Sequence, residues 1–315
     1  MTGRFIFTHD GIFHCDEVAA VAVAVEAGFL ASPNNVRRTR RDFGGAEAGD
    51  LVIDVTPRTP VADGVIVADH HTAMKDDPAW QRGEGKPRLA SAGWAWREFG
   101  KTVLSSYNCP GERLEQAWEN VDRSLFWGID AADNGELPPS AVPSYTVSQA
   151  VAAYNPVSFP MADQDELFHK AVAFFRDVFK RVLWAELYRQ HEYSRIKAAI
   201  DAQWCDPVLV LDRGGAWQSV IIDNWDATDY IKVVVYPDAA APGLWRIQSA
   251  PGSKTDPFAM RCGAPAAMRG KRADAGLTLG GCAVEFVHPA GFIGGVHAAT
   301  AEDARRAALD WIGLA

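Results

Sequence analysis

Near the N-terminus an apolar run, Arg4-Phe5-Ile6-Phe7, gives way to Thr8-His9-Asp10-Gly11-Ile12-Phe13-His14-Cys15-Asp16-Glu17, and then to an alanine- and valine-rich run from Val18 to Leu30. The first run reads as a short buried strand and the last as a helix. Two imidazoles and several carboxylates are thereby confined to a tight strand-to-helix loop. In an open α/β sheet, ligands collect outside the carboxyl ends of the strands. The start of a helix adds a partial positive charge that favours anions there. This stretch commits the first part of the chain to a strand–helix architecture with a polar site at the end of its sheet.

The pattern recurs. Asn35 to Arg41 reads as a second strand, its arginines either a nucleic-acid contact or the charged guard of a sheet edge. Asp50-Leu51-Val52-Ile53-Asp54-Val55 and Gly64-Val65-Ile66-Val67-Ala68-Asp69 read as buried strands, the second followed at once by His70-His71. Strands alternating with helical runs predict an α/β fold with a mostly parallel sheet flanked by helices. Residues 72 to 88 read as a mobile polar surface loop. Leu89 to Phe99 and Glu112 to Trp127 read as helices, Pro138 to Pro160 as irregular, and Asp163 to about Ala202 as one or two amphipathic helices. Strands at Pro207–Asp212, Tyr230–Tyr236, Trp245–Ser249 and Cys282–His288, with a terminal helix from Ala301 to Ile312, predict a smaller C-terminal α/β domain. The domains are expected at 1–202 and 203–315.

A chain of 315 residues can bury two such cores. Its net charge of −9 argues against a protein that coats long nucleic acid non-specifically, but allows a local basic groove or bound metal ions. Cys15, Cys109, Cys205, Cys262 and Cys282 are widely spread with no Cys-x-x-Cys pair, which fits free thiols in a reducing cytoplasm and offers no thiolate zinc site. Val18 to Val25 is too short to span a bilayer and follows Asp16 and Glu17, so neither a membrane helix nor a signal peptide is expected.

Six of the eight histidines fall in three pairs: His9 with His14, His70 with His71, His288 with His297. The first two pairs follow apolar strands and stand beside aspartates; Asp54 ends a strand between them, and Asp130 and Asp133 close the set. One such residue is ordinarily a cap or a satisfied core group. Several at successive strand ends are harder to accommodate that way, because buried carboxylates are costly unless cations neutralise them. Imidazole with carboxylate and no thiolate suits manganese, iron or zinc, and a carboxylate-rich set tilts towards six-coordinate manganese. Two such ions sharing a carboxylate and a water would suit hydrolysis at phosphorus.

Asp69-His70-His71, with the upstream His and Asp loop, Asp54 and Asp133, resembles the DHH phosphoesterase superfamily. The Thr8–Glu17 loop, Leu89-Ala90-Ser91-Ala92-Gly93, Asp130-Ala131-Ala132-Asp133-Asn134-Gly135, Trp245-Arg246-Ile247-Gln248 and His288-Pro289-Ala290-Gly291-Phe292-Ile293-Gly294-Gly295 are more particular. Together they resemble the Myg-type (melanocyte proliferating gene product) metal-dependent hydrolases over nearly the full length. That resemblance implies two Mn2+ ions in the N-terminal domain and a C-terminal domain gripping substrate across a cleft. His9 and His14 would hold one ion. Asp16, His70 and a carboxylate of the Asp130/Asp133 pair, preferably Asp133, would hold the other, with Asp54 bridging. Asp69 would ligate or orient its neighbours and His71 would face the substrate phosphate. The chain departs from the wider superfamily at His14, where an aspartate is usual, which makes the site less negative. It departs from the family at Thr72-Ala73-Met74, where Gln and Phe are usual.

Gly291 to His297 resembles a glycine-rich phosphate-binding loop, with Gly294, Gly295 and His297 as contacts. Lys254, Arg261, Arg269, Lys271 and Arg272 form either a basic wall for a phosphodiester strand or a solvated loop, and Arg246 is the favoured guanidinium contact. The resulting expectation is a manganese-dependent phosphodiesterase acting on the end of short single-stranded RNA or DNA, which the resemblance makes a 3′→5′ RNA exonuclease. The alternatives are a hydrolase of pyrophosphate or a cyclic dinucleotide, or a non-catalytic nucleotide-binding protein.

Overall fold

The computed structural model describes residues 4–314 apart from 33, 41, 72–76, 143 and 158–163. Arg41, Asp163 and the Thr72-Ala73-Met74 departure lie outside the described residues. The chain divides into two compact units, residues 1–187 and 188–315.

The first unit is built on a four-stranded parallel sheet. Its strands are β1 (Ile6–Thr8), β2 (Val36–Arg38), β3 (Leu51–Ile53) and β4 (Ile66–Ala68), in the order β2-β1-β3-β4. Neighbours of β1 lie on both sides, so the chain leaves it in opposite directions, and the crevice at the ends of β1 and β3 is a topological switch point. Side chains alternate across the strands. Ile6, Leu51 and Ile53 face the helical core, whereas Phe7 and Val52 pack with Phe43 and Ala46 on the other face. Contrary to expectation β4 is not a buried strand: it is the sheet edge, with Ile66 and Val67 exposed.

Helix α1 (Cys15–Glu26) is buried nearly all round, as its alanines and valines dictate. It begins before the apolar run because the His14 N–H donates to the Glu17 carboxylate at 2.8 Å, closing the first turn from within. It ends before Leu30 because Gly28 takes a φ of +72°, which lets Phe29 N–H close back on Ala24. α2 (Ser91–Ser106) packs along α1. The helix expected from Glu112 to Trp127 is two: α3 (Leu114–Val121) and α4 (Trp127–Asp133), joined by a wide π-type turn at Asp122–Phe126. The segment expected to be irregular contains α5 (Val147–Ala152), started by the reciprocal Thr146–Gln149 capping box. The loop before α2 is less superficial than its composition suggests, since Trp80 and the Arg82 side chain are buried.

A single helix, α6 (Gln164–Ala202), runs from one unit into the other. Phe168, Phe175 and Phe179 pack in the first core; Ile196 and Ile200 pack in the second unit with Trp217, Val220 and Ile221 of α7 (Trp217–Asp223). The second unit carries a six-stranded sheet of order β5-β6-β7-β10-β9-β8. Its strands are β5 (Val208–Val210), β6 (Val233–Pro237), β7 (Leu244–Ser249), β8 (Thr278–Leu279), β9 (Cys282–Val287) and β10 (Ile293–His297). Only β5 and β6 pair in parallel. Helix α8 (Ala301–Trp311) covers the opposite face from α7.

The glycine-rich segment is thus a strand from Ile293 onward, and only Gly291 and Phe292 belong to the turn before it. A Cβ on Gly294 would stand 2.7 Å from the Trp311 ring, and one on Gly295 would stand 2.9 Å from Phe286. Both positions are small because large rings lie on them, and both are paired on each side, to β7 and to β9. Among the described residues no helix is long and apolar enough to cross a membrane.

Candidate metal centre

Three strands of the first sheet end in the residues singled out from the sequence. β1 delivers His9, β3 delivers Asp54, and β4 delivers Asp69, His70 and His71. The start of α1 adds His14, Asp16 and Glu17, and the last residue of α4 is Asp133. Asp54 is held at φ +58°, a strained backbone for a residue other than glycine, immediately after β3.

Asp54 lies at the middle of the cluster. Its Oδ1 is 3.1 Å from His70 Nε2 and accepts the Ser91 hydroxyl at 3.1 Å; its Oδ2 is 3.3 Å from His9 Nε2. His70 Nε2 is also 3.1 Å from Asp133 Oδ2 and 3.7 Å from Asp16 Oδ2. Among the described residues, three sets have donor atoms that all lie within 4.8 Å of one another: His9, His14, Glu17 and Asp54; Asp54, His70 and His71; His14, Asp16 and Asp133.

The charge balance is unfavourable for protein groups alone. Asp16 is fully buried and, among the described residues, neither of its carboxylate oxygens has a hydrogen-bond partner. Burial, with Asp54, Glu17 and Asp133 close by, pushes the Asp16 carboxyl well above the usual carboxylate range. Burial would lower the His9 and His70 imidazoles, but their carboxylate partners outweigh it and raise both to about 10. Burial opposes ionisation of Asp54, yet hydrogen bonds from His70 and His9 hold its carboxyl below the ordinary value. Excess carboxylate charge closed off from water is the condition that a divalent cation relieves. The donor set, imidazole and carboxylate without thiolate, therefore fits a hard or borderline divalent metal.

Asp69 accepts hydrogen bonds from the backbone N–H of His71 and from the Thr56 hydroxyl, and stands 3.0 Å from His71 Nδ1. It orients His71, whose ring is more than half exposed. A recess of about 260 Å³ opens beside these groups, lined by His9, His14, Arg40, Asp54, Asp69 and His71 among others.

Asp130 is placed elsewhere. Its carboxylate pairs with Arg82 Nη2 at 2.6 Å and accepts the Gly93 N–H at 3.0 Å, and it joins none of the three sets. Arg82 also binds Asp122, so Asp130 fastens the loop before α2 to the helices behind the site. Burial pushes the Asp130 carboxyl up to about 7 against the pull of Arg82. Four participants escape the sequence reading. Glu17 is 3.1 Å from His9 Nε2, and its spacing from His14 is the one local signal that marks it. Ser91, Arg82 and Arg40 reach their places only through tertiary contacts.

The residues expected to touch substrate in the second unit are largely engaged. Arg246 pairs with Asp238 and lies over the Phe286 ring. Arg261 donates to the Thr228 and Ile231 carbonyls and covers Trp225, and Arg269 donates to the Ala264 carbonyl. His297 Nε2 is 2.9 Å from the Glu285 carboxylate. Gly294 and Gly295 are buried in β10. These positions brace the second unit's own loops and sheet.

The molecule is therefore an α/β protein of two units whose N-terminal parallel sheet gathers imidazoles and carboxylates at its switch point. The chain belongs to the MYG1_exonuc family, described as an uncharacterised protein family (UPF0160), whose model matches residues 5–308. A MYG1 protein of Schizosaccharomyces pombe is 29% identical over 92% of this chain and 92% of its own. Proteins named MYG1 exonuclease from Mus musculus and Homo sapiens are each 28% identical, over 93% and 92% of this chain and 81% of theirs. The crystal structure of RecJ in complex with Mn2+ from Thermus thermophilus aligns with 97% of this chain and 51% of that one, at 13% identity and a TM-score of 0.24.

Proposed function

We propose that this protein is a divalent-metal phosphoesterase that removes nucleotides from the end of a short single strand, RNA in the 3′→5′ direction. The observation that carries the reading is the convergence of His9 and His70 on Asp54, with the buried Asp16 carboxylate 3.7 Å from His70 and without a hydrogen bond among the described residues. The exonuclease names of the mouse and human relatives support the nucleic-acid substrate.

His9, His14 and Asp54, which fall in one of the clustered sets, would hold one ion; Asp16 and Asp133, each near His70, would hold a second with it, with Asp54 shared; Mn2+ suits the donors best. Bound divalent ions would supply a Lewis acid for the phosphate oxygens and acidify a water for attack on phosphorus. The remaining work falls to side chains. Glu17 holds His9, and Ser91 holds Asp54, in the poses they need as ligands. His71, its Nδ1 taken by Asp69, offers Nε2 to a phosphate oxygen. Hydrogen bonding to Asp69 raises the His71 pKa, which favours the donor form. Arg40 lines the same recess, and its carboxylate partner among the described residues is the exposed Asp10, so its guanidinium can turn to a phosphate.

The test is release of mononucleotides from a short oligoribonucleotide, labelled at either end, with Mn2+ and then with chelator. Pyrophosphate and a cyclic dinucleotide run beside it. Metal-dependent release from RNA that disappears in Asp54→Ala is expected. Cleavage that survives this substitution, or turnover of pyrophosphate alone, would overturn the reading.

A further inference from the structure

A cavity of about 740 Å³ in the second unit is lined by residues from four places in the chain. Gln248 comes from β7, Gln218 from α7, Lys254 and Phe258 from the loop after β7, and His288 and Phe292 from the turn before β10. Lys254 belongs to the basic wall or solvated loop expected from the sequence and Phe292 lies in the glycine-rich segment, but the sequence reading gives Gln218, Gln248, Phe258 and His288 no substrate contact. All stand in the unit that lacks the metal cluster.

The lining has the chemistry of a nucleotide site. Phe258 is 88% exposed, so its ring is open to stacking by a flat ligand. Phe292 is partly exposed and its ring centroid is 4.4 Å from that of His288, so the two rings form one apolar wall. The Ala290 N–H donates to His288 Nδ1, which leaves the Nε2–H to face outward as a donor. Gln248 spends its carbonyl on the Tyr236 hydroxyl and keeps its NH2 for another acceptor. Lys254 has no carboxylate partner among the described residues; its ammonium lies 5.9 Å from the Trp225 ring. Asp256 lines the cavity too, and one of its oxygens takes the Phe258 N–H. Its other oxygen suits ribose hydroxyls, not phosphate.

We propose that this cavity binds one nucleotide of single-stranded RNA, its base against Phe258 and Phe292, its edge read by Gln248, and its phosphate met by Lys254. Aromatic walls hold bases of any sequence through stacking, and a single cation suffices to set the direction of the backbone. The choice of a nucleotide as ligand rests on the phosphoesterase reading, but the binding does not require catalysis.

The experiment is calorimetric titration of the full-length protein with 5′-AMP in chelator, so that the metal centre makes no contribution. Inorganic phosphate and 5′-dAMP serve as comparison probes. Binding of AMP is expected, with phosphate at least about ten-fold weaker. Stacking of this kind predicts a loss of about 5- to 100-fold in Phe258→Ala. Phe258 and Lys254 are exposed, so Phe258→Ala and Lys254→Ala leave the melting temperature unchanged, which is checked in parallel. No binding by the parent protein, equal binding of phosphate and AMP, or full affinity in a variant carrying both Phe258→Ala and Lys254→Ala would each overturn the proposal. AMP binding in a protein that hydrolyses no phosphoester would leave the cavity assignment standing and remove the phosphoesterase reading.

Discussion

Asp54 illustrates how single residues are placed by the fold. A carboxylate at the end of a strand is common, but one strained to φ +58° and held by Ser91, His9 and His70 at once has no freedom to serve as a surface cap. His9, Asp54 and His70 are legible in the sequence because each follows closely on an apolar run. Asp130 is misleading at that level: it sits three residues from Asp133 in the same segment, yet its carboxylate is taken by Arg82 and the Gly93 N–H. Arg40 is legible only as one of a row of strand-edge arginines. Its position in the recess predicts that Arg40→Ala lowers kcat/KM on an oligoribonucleotide by about 10- to 1,000-fold, the range of a lost charge-assisted contact to a reacting phosphate. Its exposed pair with Asp10 contributes little to stability, so the melting temperature and the Mn2+-induced rise in it remain as in the parent. Unchanged kinetics in that variant would remove Arg40 from the site.

At the scale of elements, the candidate metal centre depends on α1 being held at the angle that presents His14, Asp16 and Glu17. Its far end is tied by Glu26, which accepts the Tyr107 hydroxyl at 2.6 Å and Arg176 Nη2 at 2.7 Å, with Lys180 at 3.2 Å, joining α1 to residues of α2's C-cap and of α6. Burial alone would raise this carboxyl, but the hydrogen bonds outweigh it and lower its pKa below the ordinary 4.5. A carboxylate depressed in the folded state contributes fully above 4.5 and loses that contribution as pH falls through the folded value. Glu26→Gln is therefore expected to cost about 1–2 kcal/mol at pH 7, allowing for solvent near the two cations, and progressively less towards about pH 3. Urea melts of both proteins at the two pH values measure it. A difference that stays constant would show that the charge is irrelevant. The glycines of β10 belong to this scale too. Their spacing matches a phosphate loop, and only the rings of Trp311 and Phe286 above them reveal that they are there to be covered.

At the scale of the whole chain, the two units carry different duties: the first gathers the carboxylates, the second is stabilised by its own sheet and its own cation–carbonyl contacts. Metal binding to the native state alone stabilises by about 2.7 kcal/mol at a hundred-fold excess over Kd. Hydrogen exchange with and without Mn2+ should show the added protection within residues 1–187, strongest after β1, β3 and β4. Protection confined to residues 188–315 would contradict the centre described here.

What the amino-acid order determined by itself was local and chemical. Apolar runs of strand length followed by His or Asp made a parallel sheet with imidazoles and carboxylates at its ends, and the absence of thiolate pairs set the class of metal to be expected there. Periodicity also announced α6 and α8, since a helix face is written every third or fourth residue. What only the tertiary structure decided was which of several equivalent groups meet. Asp133 and not Asp130 turns to His70, Arg82 crosses the sequence to neutralise a carboxylate, and Arg261 and Arg269 of the second unit spend their hydrogen bonds on its own backbone. Such choices depend on the angle at which helices settle on a sheet, and packing sets that angle over many residues at once.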